Sequence, residues 1–169
     1  MAATKRVSES LILVPSDGSL HGKPLFYLFS VTQIEEVLTS PKVTPVPFTP
    51  DYFLGLAAWH HRPTAMVSLD LLLGVTSNPP DHQKGRSLVV TEVQNEKTPS
   101  HWTHLLLHMS SGGRMLSEVP AAQPVSPQAH FSSEKAGMVK GLYVWDDGLI
   151  VVPHIEHILY GSVESWAVS

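Results

Sequence analysis

The sequence predicts an all-β domain of short strands, and three observations favour that class. Its apolar residues occur in short bursts that are interrupted by 14 prolines and 11 glycines in 169 residues. Such punctuation suits short strands joined by tight turns better than long helices. Hydrophobic residues make up 43% of the chain and charged residues only 15%, which is enough apolar material for a packed core. Numerous short strands are typical of small barrels or a sandwich.

The apolar bursts predict nine strands, each bounded by turn-forming residues. They are Leu11–Val14, Leu25–Val31, Leu56–His60, Thr64–Leu69, Ser87–Val93, His104–Met109, Arg114–Val119, Gly141–Trp145 and Leu149–Val152. Asp146-Asp147-Gly148 separates the last two strands, and a glycine can supply the positive φ of a short hairpin loop. The run Ser110–Gly113 predicts a turn for the same reason.

Short helical turns and two linkers complete the predicted elements. The helical turns are Thr49–Gly55, Leu69–Leu73 before Gly74, and His154–Tyr160 before Gly161. The first has a proline at the first helical position, and glycine ends all three, as is usual at helix termini. Proline-rich composition predicts linkers at Gly74–Gly85 and Pro120–Pro127. None of the helical turns is long enough to build a bundle.

Charge and cysteine content exclude several classes of function. The net charge is −4, and Lys5-Arg6 is the only basic cluster, so the chain lacks the field of Lys and Arg that nucleic acids require. The absence of cysteine excludes disulfides, thiol nucleophiles and cysteine-based zinc sites. Met1–Ser10 is polar where a signal peptide would be apolar, and the longest apolar run is Leu25–Phe29. We therefore expect a cytoplasmic protein without direct membrane insertion.

Several segments resemble the CheW family of chemotaxis adaptors. Val43–Leu56 is similar to the family segment "(I/V)TPLP-xxP-xF(V/L)xG(V/L)", and Ala57–Gly74 can be laid without a gap on its continuation, "xNLRGxxxPVxDLxxxLG". Two further regions are similar to family segments. Phe29–Val31 with Ile34–Leu38 resembles the family's strand and its "VxEVL" segment. Gly141–Val152 with Ile155–Leu159 resembles its closing "GLxxxDDxLIxLLDIEKLL". Each motif is weakly specific, but their joint order covers most of the chain.

This resemblance implies a fold and a non-enzymatic function. The implied fold is two intertwined five-stranded SH3-like barrels around a shared core, over residues 10–161, between a flexible N-terminus (1–9) and a C-terminal tail (162–169). The implied function is an adaptor, without catalytic centre, metal or cofactor, that joins a CheA-type histidine kinase to the cytoplasmic tips of chemoreceptors. The implied partner-binding residues are Ile34, Leu56, Trp59, His60, His61 and Arg62.

Several positions depart from the family pattern. The family's Arg-Gly pair falls on His60-His61, its proline on Ala65 and its aspartate on Ser68. The arginine is a family contact for receptors, so its replacement predicts altered receptor coupling. The missing glycine predicts a different path for the hairpin after Trp59, because histidine tolerates positive φ less readily. The departures fit a member that serves a pilus-linked or accessory array, or one that binds the kinase alone.

The ten histidines raise the alternative of a metal site. Candidate groups are His101, His104 and His108, and the pair His154 and His157. On a strand His104 and His108 would lie roughly 13 Å apart, too far to hold one ion. In a helical turn His154 and His157 could converge. No His-Glu-x-x-His motif occurs, so surface or interface histidines are favoured over a metal-assisted hydrolase.

Other constellations favour structural interpretations. No Gly-x-Ser-x-Gly elbow or phosphate-binding loop occurs. Glu35 and Glu36 would point apart on a strand, which predicts a solvated face rather than paired catalytic acids. Tyr143 and Trp145 would share one face of a strand that is apolar on both sides, which favours core packing. A generic SH3-like module for an unrelated peptide remains the main rival, although a proline-peptide groove needs clustered aromatics and these are scattered along the sequence.

Overall fold

The computed structural model describes residues 10–81, 84–91 and 104–158, which form two six-stranded sheets. The strands are β1 (Leu11–Leu20), β2 (Lys23–Ser30), β3 (Ile34–Thr39), β4 (Val43–Thr44), β5 (Phe53–Trp59), β6 (Arg62–Val67), β7 (Arg86–Thr91), β8 (His104–Met109), β9 (Arg114–Leu116), β10 (Gln123–Val125), β11 (Val139–Trp145) and β12 (Gly148–Pro153). The helices are α1 (Leu69–Leu73), α2 (Ser133–Ala136), the 3-10 turns Val31–Gln33 and Pro127–Ala129, and a helical turn at 155–158.

In sequence, all the strands of one sheet lie between the second and third strands of the other. The first sheet has the order β10-β11-β12-β2-β1-β9, and the second has the order β3-β7-β8-β6-β5-β4. The pairs β12–β2 and β6–β8 are parallel, and the other pairs are antiparallel. The all-β class is thus confirmed, with six strands in each sheet rather than the expected five. The closure of each sheet into a barrel remains a prediction.

The two sheets share one core, as the family resemblance implied. Alternate residues of β2, β7 and β8 point into it, because successive side chains of a strand lie on opposite faces. These residues are Leu25, Tyr27, Phe29, Leu88, Val90, Leu105 and Leu107, joined by Leu69, Leu72 and Leu73 of α1. Each fully buried aliphatic side chain contributes about 1.5–3 kcal/mol to folding.

The second sheet also buries its opposite face. Met66, Val89 and Leu106 are fully buried, and with Ala57 they form a separate apolar cluster. Val89 lies between two residues of the shared core on β7, so this strand is buried on both sides. Such double burial is expected where a sheet curls around its own interior.

The helix α1 forms as the sequence predicted. The hydroxyl of Ser68 accepts a hydrogen bond from the backbone N–H of Leu71 at 3.3 Å, which caps the N-terminus. Gly74 ends the helix in the left-handed conformation, with φ 69°. Ser68 occupies the position of the family's aspartate, and either residue type can cap a helix.

Two predicted elements differ in the structure. Thr49–Gly55 is not helical: the N–H of Phe53 donates to the carbonyl of Pro50 at 3.0 Å, closing a turn, and β5 begins at Phe53. The backbone bonds that a helix would need are made instead to β6. The predicted linker Pro120–Pro127 contains β10, whose three residues pair with β11.

The hairpin between β11 and β12 corrects a third expectation. Trp145 pairs with Gly148, which leaves Asp146-Asp147 as a two-residue loop, and the positive φ belongs to Asp146 at 48° rather than to Gly148. At Gly148 a Cβ would lie 3.0 Å from the carbonyl oxygen of Pro24. The glycine is therefore needed for the close approach of β2.

All nine predicted strands correspond to observed ones; His104–Met109 has the predicted bounds, and the other eight have shifted ends. Residues 92–93 of the fifth lie outside the described ranges, as do 1–9, 82–83, 101–103, 159–161 and the tail. The nine omitted β3, β4 and β10. No helix in the described ranges is long and apolar enough to cross a bilayer.

Candidate functional site

The hairpin between β5 and β6 carries the two histidines that replace the family's Arg-Gly pair. Trp59 pairs with Arg62, so that His60 and His61 alone form the turn. Their φ angles are 48° and 62°, the left-handed pair that matches the twist of a two-stranded ribbon. The missing glycine has therefore not opened the hairpin. Holding two L-residues in this conformation costs about 1–2 kcal/mol each.

Two imidazoles flank the Trp59 side chain at the base of this hairpin. The ring centroids of His60 and His104 each lie 4.4 Å from the indole ring. His60 comes from the turn, whereas His104 is the first residue of β8, beyond the neighbouring strand β6. The sheet order thus brings together residues that are distant in the sequence.

Two carboxylates of β3 bind these three rings. The indole Nε1–H of Trp59 donates to Glu36 Oε2 at 2.8 Å, and His60 Nε2 lies 3.3 Å from the same oxygen. His104 Nε2 lies 3.3 Å from Glu35 Oε1. The hydrogen bond from Trp59, followed by that from His60, lowers the pKa of the Glu36 carboxyl below its usual value.

We call this surface the Trp59 patch, and it forms the walls of one open groove. Its members are Glu35, Glu36, Trp59, His60, Arg62 and His104.

Glu35 and Glu36 are both exposed, as the predicted solvated face requires, but their side chains do not point apart. Ile34 pairs with Val90, but Glu36 pairs with Val89, so β3 has one extra residue at this point of its ladder with β7. Such a bulge re-aims side chains that a regular strand would place on opposite faces. As a result Glu35 and Glu36 both line the groove.

The structure brings together three of the six predicted partner residues. Trp59, His60 and Arg62 line the groove, and His61 is exposed in the turn beside them. Ile34 packs instead against the shared core. Leu56, 37% exposed, lies three positions from Trp59 on β5 and hence on the opposite face.

Sequence reasoning missed Glu35, Glu36 and His104 as members of the site. His104 reaches the site because β8 pairs in parallel with β6, through Leu106 and Met66. No local pattern in the sequence encodes that pairing.

A second polar cluster joins α1 to the first sheet around Asp70. The hydroxyls of Tyr27 and Ser16 donate to Asp70 Oδ1 at 2.6 and 2.5 Å, and the backbone N–H of Asp17 donates to Oδ2 at 3.0 Å. Burial, together with the charge of Asp70, raises the pKa of the Tyr27 hydroxyl well above its usual value. This cluster borders a cavity of about 170 Å³. Because its polar groups satisfy one another, we assign it a structural role.

The remaining histidine candidates have structural partners. His154 Nδ1 accepts a hydrogen bond from the backbone N–H of His157 at 3.2 Å, and His108 Nε2 lies 3.1 Å from the carbonyl oxygen of Lys84. His101 lies outside the described residues. Within the described part of the chain, no group of three or more His, Asp or Glu residues could hold a metal ion.

The first sheet holds an aromatic pair that the sequence did not reveal. Phe26 and Trp145 meet edge to face with centroids 5.7 Å apart, and the Arg114 guanidinium lies 5.4 Å from the Trp145 ring. Trp145 and Tyr143 are half-buried, while Leu142 on the opposite face is fully buried. Core packing therefore holds for one face of β11 and only partly for the other.

Comparison with known proteins places this geometry in a family. The family model for the CheW-like domain matches residues 19–162. No curated protein matches the chain. Among solved structures, the scaffolding protein TtCheW from Thermoanaerobacter tengcongensis superposes with a TM-score of 0.60 and 13% sequence identity, over 94% of this chain and 92% of that chain. At this identity the likeness concerns the fold. Because the family model spans most of the sequence, the chain belongs to the CheW-like domain family.

Proposed function

We propose that the protein is a non-enzymatic scaffold that couples a CheA-type histidine kinase to chemoreceptors in a bacterial chemosensory pathway. The observation that carries this proposal is the family match over residues 19–162. The name of the scaffolding protein TtCheW, whose fold is similar, supports it. Such a role needs two separate binding surfaces and no reacting group.

The Trp59 patch is the surface that we assign to the receptor tip. It contains the hairpin position at which the family resemblance implies an arginine contact. Although His60 stands there, Arg62 is exposed and lines the same groove, because it pairs with Trp59 across the hairpin. A guanidinium stays charged at physiological pH and can bind a carboxylate through two hydrogen bonds. Arg62 therefore takes the role of the missing arginine.

The kinase would bind elsewhere, on exposed apolar side chains. Met115 on β9 and Val119 beyond it are large, exposed and hydrophobic, and both belong to the region of the first sheet. We take these side chains as anchors of the kinase interface, since exposed apolar surface marks sites of protein–protein interaction. Separate surfaces would let the scaffold bind both partners at once.

Isothermal titration with the kinase regulatory domain and with a receptor cytoplasmic-tip fragment tests this assignment. Arg62→Ala should weaken tip binding about 10-fold and leave kinase binding unchanged, while Met115→Ser should do the reverse. Failure of the wild type to bind the kinase at high micromolar concentration would refute the scaffold function. The loss of both affinities in Arg62→Ala, with an unchanged melting temperature, would refute the separation of the surfaces.

A second candidate function rests on the aromatic pair of the first sheet. Phe26 and Trp145, both half-buried, line a groove with Pro15 and Arg114, and proline-rich peptides dock into aromatic-lined grooves. This arrangement favours the rival hypothesis of a generic SH3-like module. Binding of a proline-rich peptide, lost in Trp145→Ala but not in Trp59→Ala, would support it.

A further inference from the structure

The charges of the Trp59 patch are divided between paired and outward-facing groups. Glu36 accepts hydrogen bonds from Trp59 and His60, and Glu35 contacts His104. Arg62 is exposed and, among the described residues, forms no ion pair. The carboxylates are thus engaged within the patch, whereas the guanidinium is available to a partner.

The titratable and charged groups that face Trp59 come from three elements. They are Glu35 and Glu36 of β3, His60 and Arg62 of the β5–β6 hairpin, and His104 of β8, while His61 is exposed in the turn beside them. With neutral imidazoles, two carboxylates outweigh one guanidinium, and the patch is acidic. Protonation of His60 and His104 would reverse the sign of its net charge. Histidine is the side chain that ordinarily changes charge near neutral pH.

The geometry also determines where the added proton lies. His60 and His104 each direct Nε2 toward a glutamate, so a neutral imidazole that donates there has Nδ1 as its remaining acceptor. Protonation converts Nδ1 into a second donor. The side chain of His60 is 69% exposed and that of His104 is 19% exposed. His60 can therefore donate to a partner, whereas His104 acts mainly by holding charge against the Trp59 ring.

We propose that the Trp59 patch is a proton-dependent docking surface for a carboxylate-bearing partner segment, and that His104 and Glu35 are positioning residues of this surface. This inference rests on the proposed function and names the chemistry of the receptor segment that the patch accepts. Arg62 and the Nδ1–H of protonated His60 are the two donors offered to the partner. His104, balanced by Glu35, fixes the indole between them and adds positive charge.

The first test needs no partner. The fluorescence of the full-length chain is recorded from pH 7.5 to pH 5.5, and the spectrum of Trp59→Phe is subtracted to isolate Trp59. Protonated imidazole quenches indole emission, so the fluorescence of Trp59 should decrease as the pH is lowered. The fall should be about halved in His104→Gln and absent in His60→Gln/His104→Gln. His108→Gln, on the same strand but outside the patch, is the matched control. A difference signal that is independent of pH would overturn the proposal.

The second test measures docking to the receptor cytoplasmic-tip fragment at pH 6.0 and pH 7.5. The wild-type protein should bind the tip about 3–10-fold more tightly at pH 6.0 than at pH 7.5. The double variant His60→Gln/His104→Gln should bind it equally at both pH values. A tip fragment whose contacting glutamates are changed to glutamine should bind the wild-type protein without this pH dependence. Tight binding that does not change with pH would overturn the inference and leave the scaffold function intact. No binding at either pH would overturn the receptor assignment, and the docking inference with it.

Discussion

Replacing His61 by glycine should stabilise the protein, although it removes a side chain. His61 has a φ of 62°, a conformation that costs an L-residue about 1–2 kcal/mol and costs glycine little. Glycine loses about 0.5–1 kcal/mol more backbone entropy on folding. The difference predicts a net gain of about 0.5–1 kcal/mol in the free energy of unfolding.

The turn between β1 and β2 supplies a matched control for this substitution. Leu20 pairs with Lys23 there, so His21-Gly22 forms a two-residue turn with φ angles of 52° and 74°. His61→Gly makes the second hairpin turn identical in sequence to this one. The reverse change, Gly22→His, should destabilise by a similar amount, since a Cβ at Gly22 meets no atom within 4 Å and only the backbone conformation opposes it.

Urea denaturation and thermal melting measure both effects. A gain of 0.5–1 kcal/mol corresponds to about 1–4 °C in melting temperature for a domain of this size. Should His61→Gly leave stability unchanged or reduced while Gly22→His is destabilising, the reasoning from backbone strain would be wrong for the β5–β6 turn. The histidine side chain would then have to provide a stabilising contact that offsets its conformation.

Three further predictions concern other parts of the structure. Tyr27→Phe removes a hydrogen bond to a charged carboxylate and should lower the free energy of unfolding by about 1.5–3 kcal/mol in urea titrations at pH 7. Because the folded-state pKa of Tyr27 is raised, the wild-type protein should lose stability as pH rises above 10. Tyr27→Phe should lack this part of the loss. Identical alkaline stability profiles of the two proteins would contradict the role given to the Tyr27 hydroxyl. Glu36→Gln should lower the melting temperature at pH 7. The difference from wild type should vanish as pH falls below 4.5, because the contacts that lower the pKa of Glu36 stabilise only its ionised form. A difference that persists at pH 3 would exclude this origin. Met66→Ala should cost about 2–5 kcal/mol because Met66 is fully buried in the apolar cluster of the second sheet, and a cost below 1 kcal/mol would show that this cluster collapses around the missing atoms.

Local patterns in the sequence predicted the local parts of the fold. Ser68 and Gly74 mark the ends of α1 through a capping hydroxyl and a left-handed glycine, both of which depend on neighbouring residues alone. The position of the Asp146-Asp147 loop agrees with the prediction from the sequence. The prediction that the glycine supplies the positive φ is wrong, because Asp146 has it. Aspartate also tolerates that region, and the glycine was needed by a strand distant in the sequence.

The elements that were missed depend on pairing between distant residues. β10 contains a proline and lies in a segment whose composition suggests a loop; it is a strand because it pairs with β11 at the edge of the sheet, where proline is tolerated. The same holds for the site, since Trp59 meets His104 only through the order of β5, β6 and β8. The bulge that places Glu35 and Glu36 in one groove is likewise a property of the β3–β7 ladder.

The nested order of the sheets has a consequence for how the chain folds. Every strand of the second sheet lies between residues 34 and 109, so this sheet can be completed from one continuous stretch of chain. The first sheet needs the parallel pairing that brings residue 149 beside residue 25, and closing so long a loop is slow. During synthesis the second sheet can therefore form early, while β1 and β2 keep an exposed edge until the C-terminal hairpin arrives. Substitutions that delay β11 or β12 should consequently increase aggregation during folding more than equally destabilising changes within the second sheet.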